Sequence, residues 1–97
     1  MLKHFVFFKY RPDTPRDHID AFSDKMRALT DKIPELESLE IGHDEFGEER
    51  SWSLMLSMTF RSVEALRRYQ AHADHVAVMK FNDPYVTDVG SVDHHCQ

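Results

Sequence analysis

The sequence predicts an α+β domain with the element order β-α-β-β-α-β and its four strands in one antiparallel sheet. Three observations predict it. Four segments rich in β-branched, aromatic or alternating apolar residues read as strands. Between the first and second, and again between the third and fourth, apolar residues recur at the spacing of a helix. The length, 97 residues, suits one domain, read as residues 1–97.

The first strand covers residues 2–10. Its two faces, Leu2-His4-Val6-Phe8 and Lys3-Phe5-Phe7-Lys9, both carry large apolar groups, which places it centrally in the sheet. Arg11-Pro12-Asp13 ends it. Thr14 can cap the first helix, with Pro15 at its first position and Asp17 where a capping box wants an acid. Ile19, Phe22, Met26, Leu29 and Ile33 form one apolar stripe, and the helix closes near Lys32 ahead of Pro34. Residues 36–43 form a weaker, acidic strand suited to a sheet edge. Residues 44–50 turn around Gly47. In the strong strand 52–60, Trp52, Leu54, Leu56, Met58 and Phe60 share one face, and Ser53, Met55, Ser57 and Thr59 the other. Ser62 caps a short helix to about Ala71, with Leu66 and Tyr69 inward. Asp74 can cap a second, His75–Phe81, and Pro84 resets the chain into the last strand, Tyr85–Asp93.

With short connections and right-handed crossovers this order is a ferredoxin-like sheet, with strands 1 and 3 central and 2 and 4 at the edges. Two helical segments cover one face. The other face is too apolar for water whichever way strand 3 points, because strand 1 has large apolar groups on both sides. A second copy packing sheet against sheet is therefore expected.

Composition narrows the function. Net charge is −5, and residues 31–50 hold eight acids against Lys32 and Arg50. There is no basic stripe, so nucleic acid is not an expected partner. The longest uninterrupted apolar runs, Phe5–Phe8 and Val76–Met79, are far short of a membrane span, and no signal peptide is read at the start. Cys96 is the single cysteine, which suits a reducing compartment, and a cytoplasmic location is expected.

The chain resembles the stress-responsive A/B barrel (Dabb) family. The carrying residues are Lys3-His4 with the following Phe-Phe-Lys, Lys32-Ile33-Pro34, Gly42, and the run Thr59-Phe60-Arg61-Ser62-Val63-Glu64-Ala65-Leu66. Tyr69-Gln70-Ala71-His72-Ala73-Asp74-His75 and Val89-Gly90-Ser91-Val92-Asp93 complete the set. Ala73 replaces the proline usual in the family's His-Pro-x-His, so the kink between the two short helices is expected from Asp74 capping. The resemblance implies a homodimer whose sheets face each other as a dimeric α+β barrel. It implies no single activity. A few plant members are cofactor-free polyketide cyclases, in which a histidine and a tyrosine at the positions of His75 and Tyr69 do acid–base work and a histidine matching His4 shares the cavity.

His4, Tyr69, His72 and His75 are thus the candidate ligand-binding residues, with Tyr69 and His75 the candidate catalytic pair. His72-x-x-His75 has the spacing of two metal ligands, but nothing nearby except Asp74 completes a site, so no metal is expected. The same histidines can instead bond backbone at a helix junction. His94-His95-Cys96 reads as a frayed terminus rather than a metal tail. The acidic stretch lacks a calcium-loop pattern and reads as a solvated edge. The leading functional reading is a small homodimer that binds an apolar or aromatic molecule. The alternative is a cofactor-independent enzyme: neutral His75 takes a proton from a carbon next to a carbonyl, and the Tyr69 phenol donates to the enolate oxygen. Neither step needs a cofactor, and none is expected. Both side chains are expected in one cavity between helices and sheet, with His4 as a third polar group.

Overall fold

A computed structural model of the chain describes residues 1–96. The chain runs β1 (Leu2–Tyr10), α1 (Arg16–Lys32), β2 (Ser38–His43), β3 (Leu54–Phe60), α2 (Val63–Ala71), α3 (Ala73–Asn82), a 3-10 turn (Asp83–Tyr85) and β4 (Val86–His95). The sheet order is β2-β3-β1-β4, with every neighbouring pair antiparallel. This is the ferredoxin-like arrangement, with β1 and β3 central. The molecule is a slab of 36 × 28 × 17 Å, one sheet and one helical layer thick.

Register sorts the strand residues between two faces. Leu2, His4, Val6 and Phe8 of β1 lie opposite Phe60, Met58, Leu56 and Leu54 of β3, and this set faces the helices. Leu54, Leu56, Met58 and Phe60 are each no more than 2 % exposed. They meet Phe22, Met26 and Leu29 of α1, and Leu66 and Tyr69 of α2, in one apolar core. Full burial of one such side chain is worth ~1.5–3 kcal/mol. The opposite face of the sheet carries Phe5 and Phe7 of β1, Met55 of β3 and Val92 of β4, with no helix over it.

Four local expectations are corrected. Thr14 does not cap α1. Pro15 is the N-cap in extended conformation, no side chain caps the helix, and Thr14 Oγ1 is buried without a partner. The Pro15 carbonyl takes the His18 amide instead (3.1 Å), which starts the helix one residue later than a Thr14 cap would. Asp74 does not make the kink after α2 either. His72 sits extended between the helices (φ −64°, ψ 136°), and its Nδ1 accepts the Asp74 amide (3.1 Å), so Asp74 lies inside the first turn of α3. Ser62 caps α2 as expected, accepting the Ala65 amide (3.1 Å).

Trp52 is the third correction. It does not continue the Leu54-Leu56 face, because paired strand begins only at Leu54. Ser53 donates its amide to the Phe8 carbonyl (2.8 Å), and the indole turns onto the open face beside Phe7, with ring centroids 5.9 Å apart. It also lies over Gly90. A Cβ there would stand 3.2 Å from the indole, so the missing side chain makes room for the ring. At the C-terminal end the frayed reading also fails. β4 pairs with β1 through His95 opposite Leu2, and the Cys96 amide donates to the Met1 carbonyl (2.9 Å). His94 stacks on Phe5, its ring 5.8 Å away and 14° from parallel.

Candidate functional site

The break at His72 brings His75 back onto Tyr69. Their ring centroids are 4.5 Å apart. A continuous helix would have separated residues six apart by more than a full turn. Tyr69 is 1 % exposed, packed on Phe60 at 5.0 Å. Its hydroxyl donates to Met58 Sδ (3.4 Å), a weak acceptor, and burial pushes the phenol well above the ordinary tyrosine range. Its neutral form is therefore the only one near pH 7.

His75 Nδ1 lies 3.0 Å from the Gln70 carbonyl oxygen. A carbonyl only accepts, so Nδ1 carries the proton and Nε2 of the neutral ring keeps its lone pair. Burial pulls the His75 pKa below the usual histidine value. The Gln70 bond acts the other way, and the nearby His4 and His72 lower it further.

His4 enters from β1. It is 7 % exposed, its ring stands edge-on to Phe60 at 6.3 Å, and Nδ1 bonds the Asp93 carboxylate across the β1–β4 pair. A carboxylate only accepts, so Nδ1 is the donor in this bond as well. Phe60 thus has His4 on one side and Tyr69 on another. His72 behaves differently: its Nδ1 is spent on the α3 cap, and its side chain is 36 % exposed. So the structure brings His4, Tyr69 and His75 together and uses His72 as a helix joint. Tyr69 is sealed from solvent, and the surface clefts between α1 and α3 and beside the β2–β3 hairpin are lined by other residues, so the expected cavity shared by Tyr69, His75 and His4 is not among them. Among the described residues, no group of three or more His, Cys, Asp or Glu is placed to hold a metal ion.

Sequence reasoning missed Asp93, which lies 89 residues from His4 and is visible only through strand pairing. It also missed a second polar cluster at the other end of the core. The Asn82 carboxamide oxygen accepts from Tyr10 Oη (2.7 Å) and His18 Nε2 (3.0 Å). His18 stacks on Tyr85 at 3.9 Å and on Phe81 at 4.7 Å. Burial pushes the Tyr10 phenol up to about 12. The signal available was His18 itself, four residues before Phe22 and so on the same helical face. This cluster ties β1, α1 and α3 together at their ends.

No helix among the described residues is long and apolar enough to cross a membrane. A search of curated proteins finds no match. Among solved structures, the chain is similar to a dimeric protein of unknown function with a ferredoxin-like fold from Bacteroides fragilis. Identity is 28 %, coverage 98 % of this chain and 95 % of that one, and the TM-score 0.87. A Dabb family protein with a ferredoxin-like fold from Mesorhizobium loti matches at 21 % identity, covering 99 % of this chain and 96 % of that one, with a TM-score of 0.80. A hydroxynitrile lyase from Passiflora edulis shares the fold at 20 % identity, over 96 % of this chain and 90 % of that one, with a TM-score of 0.84. The family model for the stress responsive A/B barrel domain matches residues 2–96. That match over nearly the whole length, on a chain with this sheet order, places it in the stress responsive A/B barrel domain (Dabb) family.

Proposed function

We propose that the protein works as a homodimer, two sheets face to face in one barrel, and that each protomer binds a small apolar or aromatic molecule bearing a carbonyl at Tyr69 and His75. The dimer rests on the uncovered face with Phe5, Phe7, Trp52 and Met55, and on the dimeric relative from Bacteroides fragilis. A stable interface needs more than ~1,000 Å² in total, which a four-stranded face can supply. The unpaired, exposed Cys96 fits a reducing compartment, and cytoplasmic residence is part of the proposal.

One observation carries the ligand reading: the buried Tyr69 hydroxyl is bonded only to a thioether among the described residues. A ligand carbonyl is a much better acceptor, so displacing Met58 Sδ is favourable. We propose that access comes by opening of the α2–α3 joint, where His72 leaves the helical conformation. The test is a titration with aryl ketones followed by NMR of the Tyr69 and His75 rings. Expected are shifts at both rings and an affinity roughly tenfold weaker in Tyr69→Phe, the effect of one hydrogen bond. Unchanged spectra, or equal affinity in the variant, refute it.

A second reading, a cofactor-independent enzyme of the polyketide-cyclase kind, is favoured by the fixed tautomer of His75. Neutral at pH 7 with Nε2 free, it has the form a general base needs, and the Tyr69 phenol has the form of an oxyanion donor. Deuterium exchange at the carbon beside the carbonyl of a bound ketone checks it. Acceleration by the wild type that disappears in His75→Ala supports catalysis, and equal rates in both leave binding alone.

A further inference from the structure

The β2–β3 hairpin ends in Asp44-Glu45-Phe46-Gly47-Glu48-Glu49, and Phe46 is 80 % exposed, the most exposed of the large apolar side chains described. The tip is nevertheless well ordered by its own bonds. Asp44 Oδ2 accepts the Gly47 amide (2.6 Å), and Gly47 takes the positive φ of 63° that closes the turn. Glu48 donates its amide to Ser51 Oγ (3.1 Å), and Lys9 Nζ holds the Glu49 carbonyl (3.0 Å). A stiff turn that displays an aromatic ring amid carboxylates loses little entropy on docking.

On the outer side of the helical layer lies a groove of about 200 Å³ between α1 and α3. Ala28 and Ala77 open it, Val78 and Phe81 line it, and Lys25 and Lys32 stand at its rim with Asp74. The Lys25 ammonium sits 4.8 Å from the Phe81 ring centre. The groove is smaller than the ~300 Å³ at which small-molecule pockets usually begin, and suits a single side chain. Among the described residues, Lys25 and Lys32 form no ion pair, and neither do Glu45, Glu48 and Glu49. The two surfaces have opposite charge left over.

We infer that the groove between α1 and α3 receives the hairpin tip of a second copy of this chain, with Phe46 on the apolar floor and the tip carboxylates against Lys25 and Lys32. The contact joins two different patches, and repeated head-to-tail it leaves one tip free at one end of the assembly and one groove free at the other. It builds rings or open chains beyond the sheet-face dimer and does not depend on that dimer. Phe46, Lys25 and Lys32 are exposed in the isolated chain, so substitutions at these three leave the core untouched.

Sedimentation velocity over a range of concentrations, at low and at high salt, tests it. Wild-type protein should form species larger than the dimer at low salt and lose them at high salt, since the lysine–carboxylate attraction is screened. Phe46→Asp, and separately the double change Lys25→Glu with Lys32→Glu, should each abolish those species and leave the dimer intact. Mixing the two variants should restore association, because one retains the groove and the other the tip. Wild-type protein that never exceeds the dimer overturns the inference, as does a groove variant that assembles like wild type. A Phe46→Asp chain that becomes monomeric also overturns it, by assigning Phe46 to the sheet face.

Discussion

The two faces of this sheet come from the same strands, residue by residue in alternation, yet they are built differently. The helix-side face is mostly Leu, Met and Phe with His4 among them, and its central residues are exposed by only a few per cent and packed in one core. The open face is aromatic and cationic. Lys3 Nζ lies 5.8 Å from the Phe5 ring centre, Lys9 Nζ 5.7 Å from the Trp52 ring, and His94 stacks on Phe5. Apolar bodies with polar tips tolerate water while a surface waits for a partner. The difference teaches that one face is completed within the chain, whereas the other has no covering element of its own and is the face the proposed dimer would bury. The site follows the first face: His4, Tyr69 and His75 sit among its core residues, where burial shifts the properties of phenol and imidazole.

The comparison can be broken from either side. Phe60→Ala on the covered face removes a ring in contact with both His4 and Tyr69. It should cost ~3–5 kcal/mol in urea denaturation, the usual range for a buried phenylalanine. Phe7→Asp on the open face should leave the monomer's helical circular dichroism in place and weaken dimerisation by two orders of magnitude or so, as loss of a central anchor does. If both variants unfold alike, the two faces are not distinct in kind. Gly90→Ala tests the open face more gently. Its new methyl meets the Trp52 indole at 3.2 Å. The ring must tilt away, with a loss of ~1 kcal/mol by overpacking and a changed tryptophan emission.

Acid acts on the covered face. The folded pKa of His75 lies below its ordinary value of 6.5, so the unfolded chain binds the extra proton first. Stability from this residue is complete above about pH 6.5 and falls as pH drops from there through the folded value. A His75→Gln chain should show a flatter stability profile over that window in thermal melts taken at each pH. The smallest effect is expected from metal removal: a chelator should leave the thermal midpoint unchanged, and a large drop would expose a structural ion.

Much of this was legible in the residues. The helical stripe Phe22-Met26-Leu29-Ile33 is the buried face of α1, and the Ser62 cap and the Pro34 stop act where their chemistry says they should. Local rules work there because each involves neighbours within a turn or two. The failures share one cause. Thr14 and Asp74 have good capping chemistry, but Pro15 and His72 hold the extended conformation that a cap requires. Trp52 obeys strand alternation only if the strand has already begun at its position, and pairing starts two residues later.

The sequence by itself determined the element order and the large apolar groups on both faces of β1, and it singled out His4, Tyr69, His72 and His75 as candidates without deciding among them. Alternation of side chains and helical spacing are local properties, and local properties can be read along a chain. Tertiary structure alone decided which face of β3 meets the helices, that Asp93 holds His4, and that Asn82 joins Tyr10 to His18. Those choices depend on strand register and on partners far apart in sequence, and register is settled by the packing energy of whole faces, which no single residue carries.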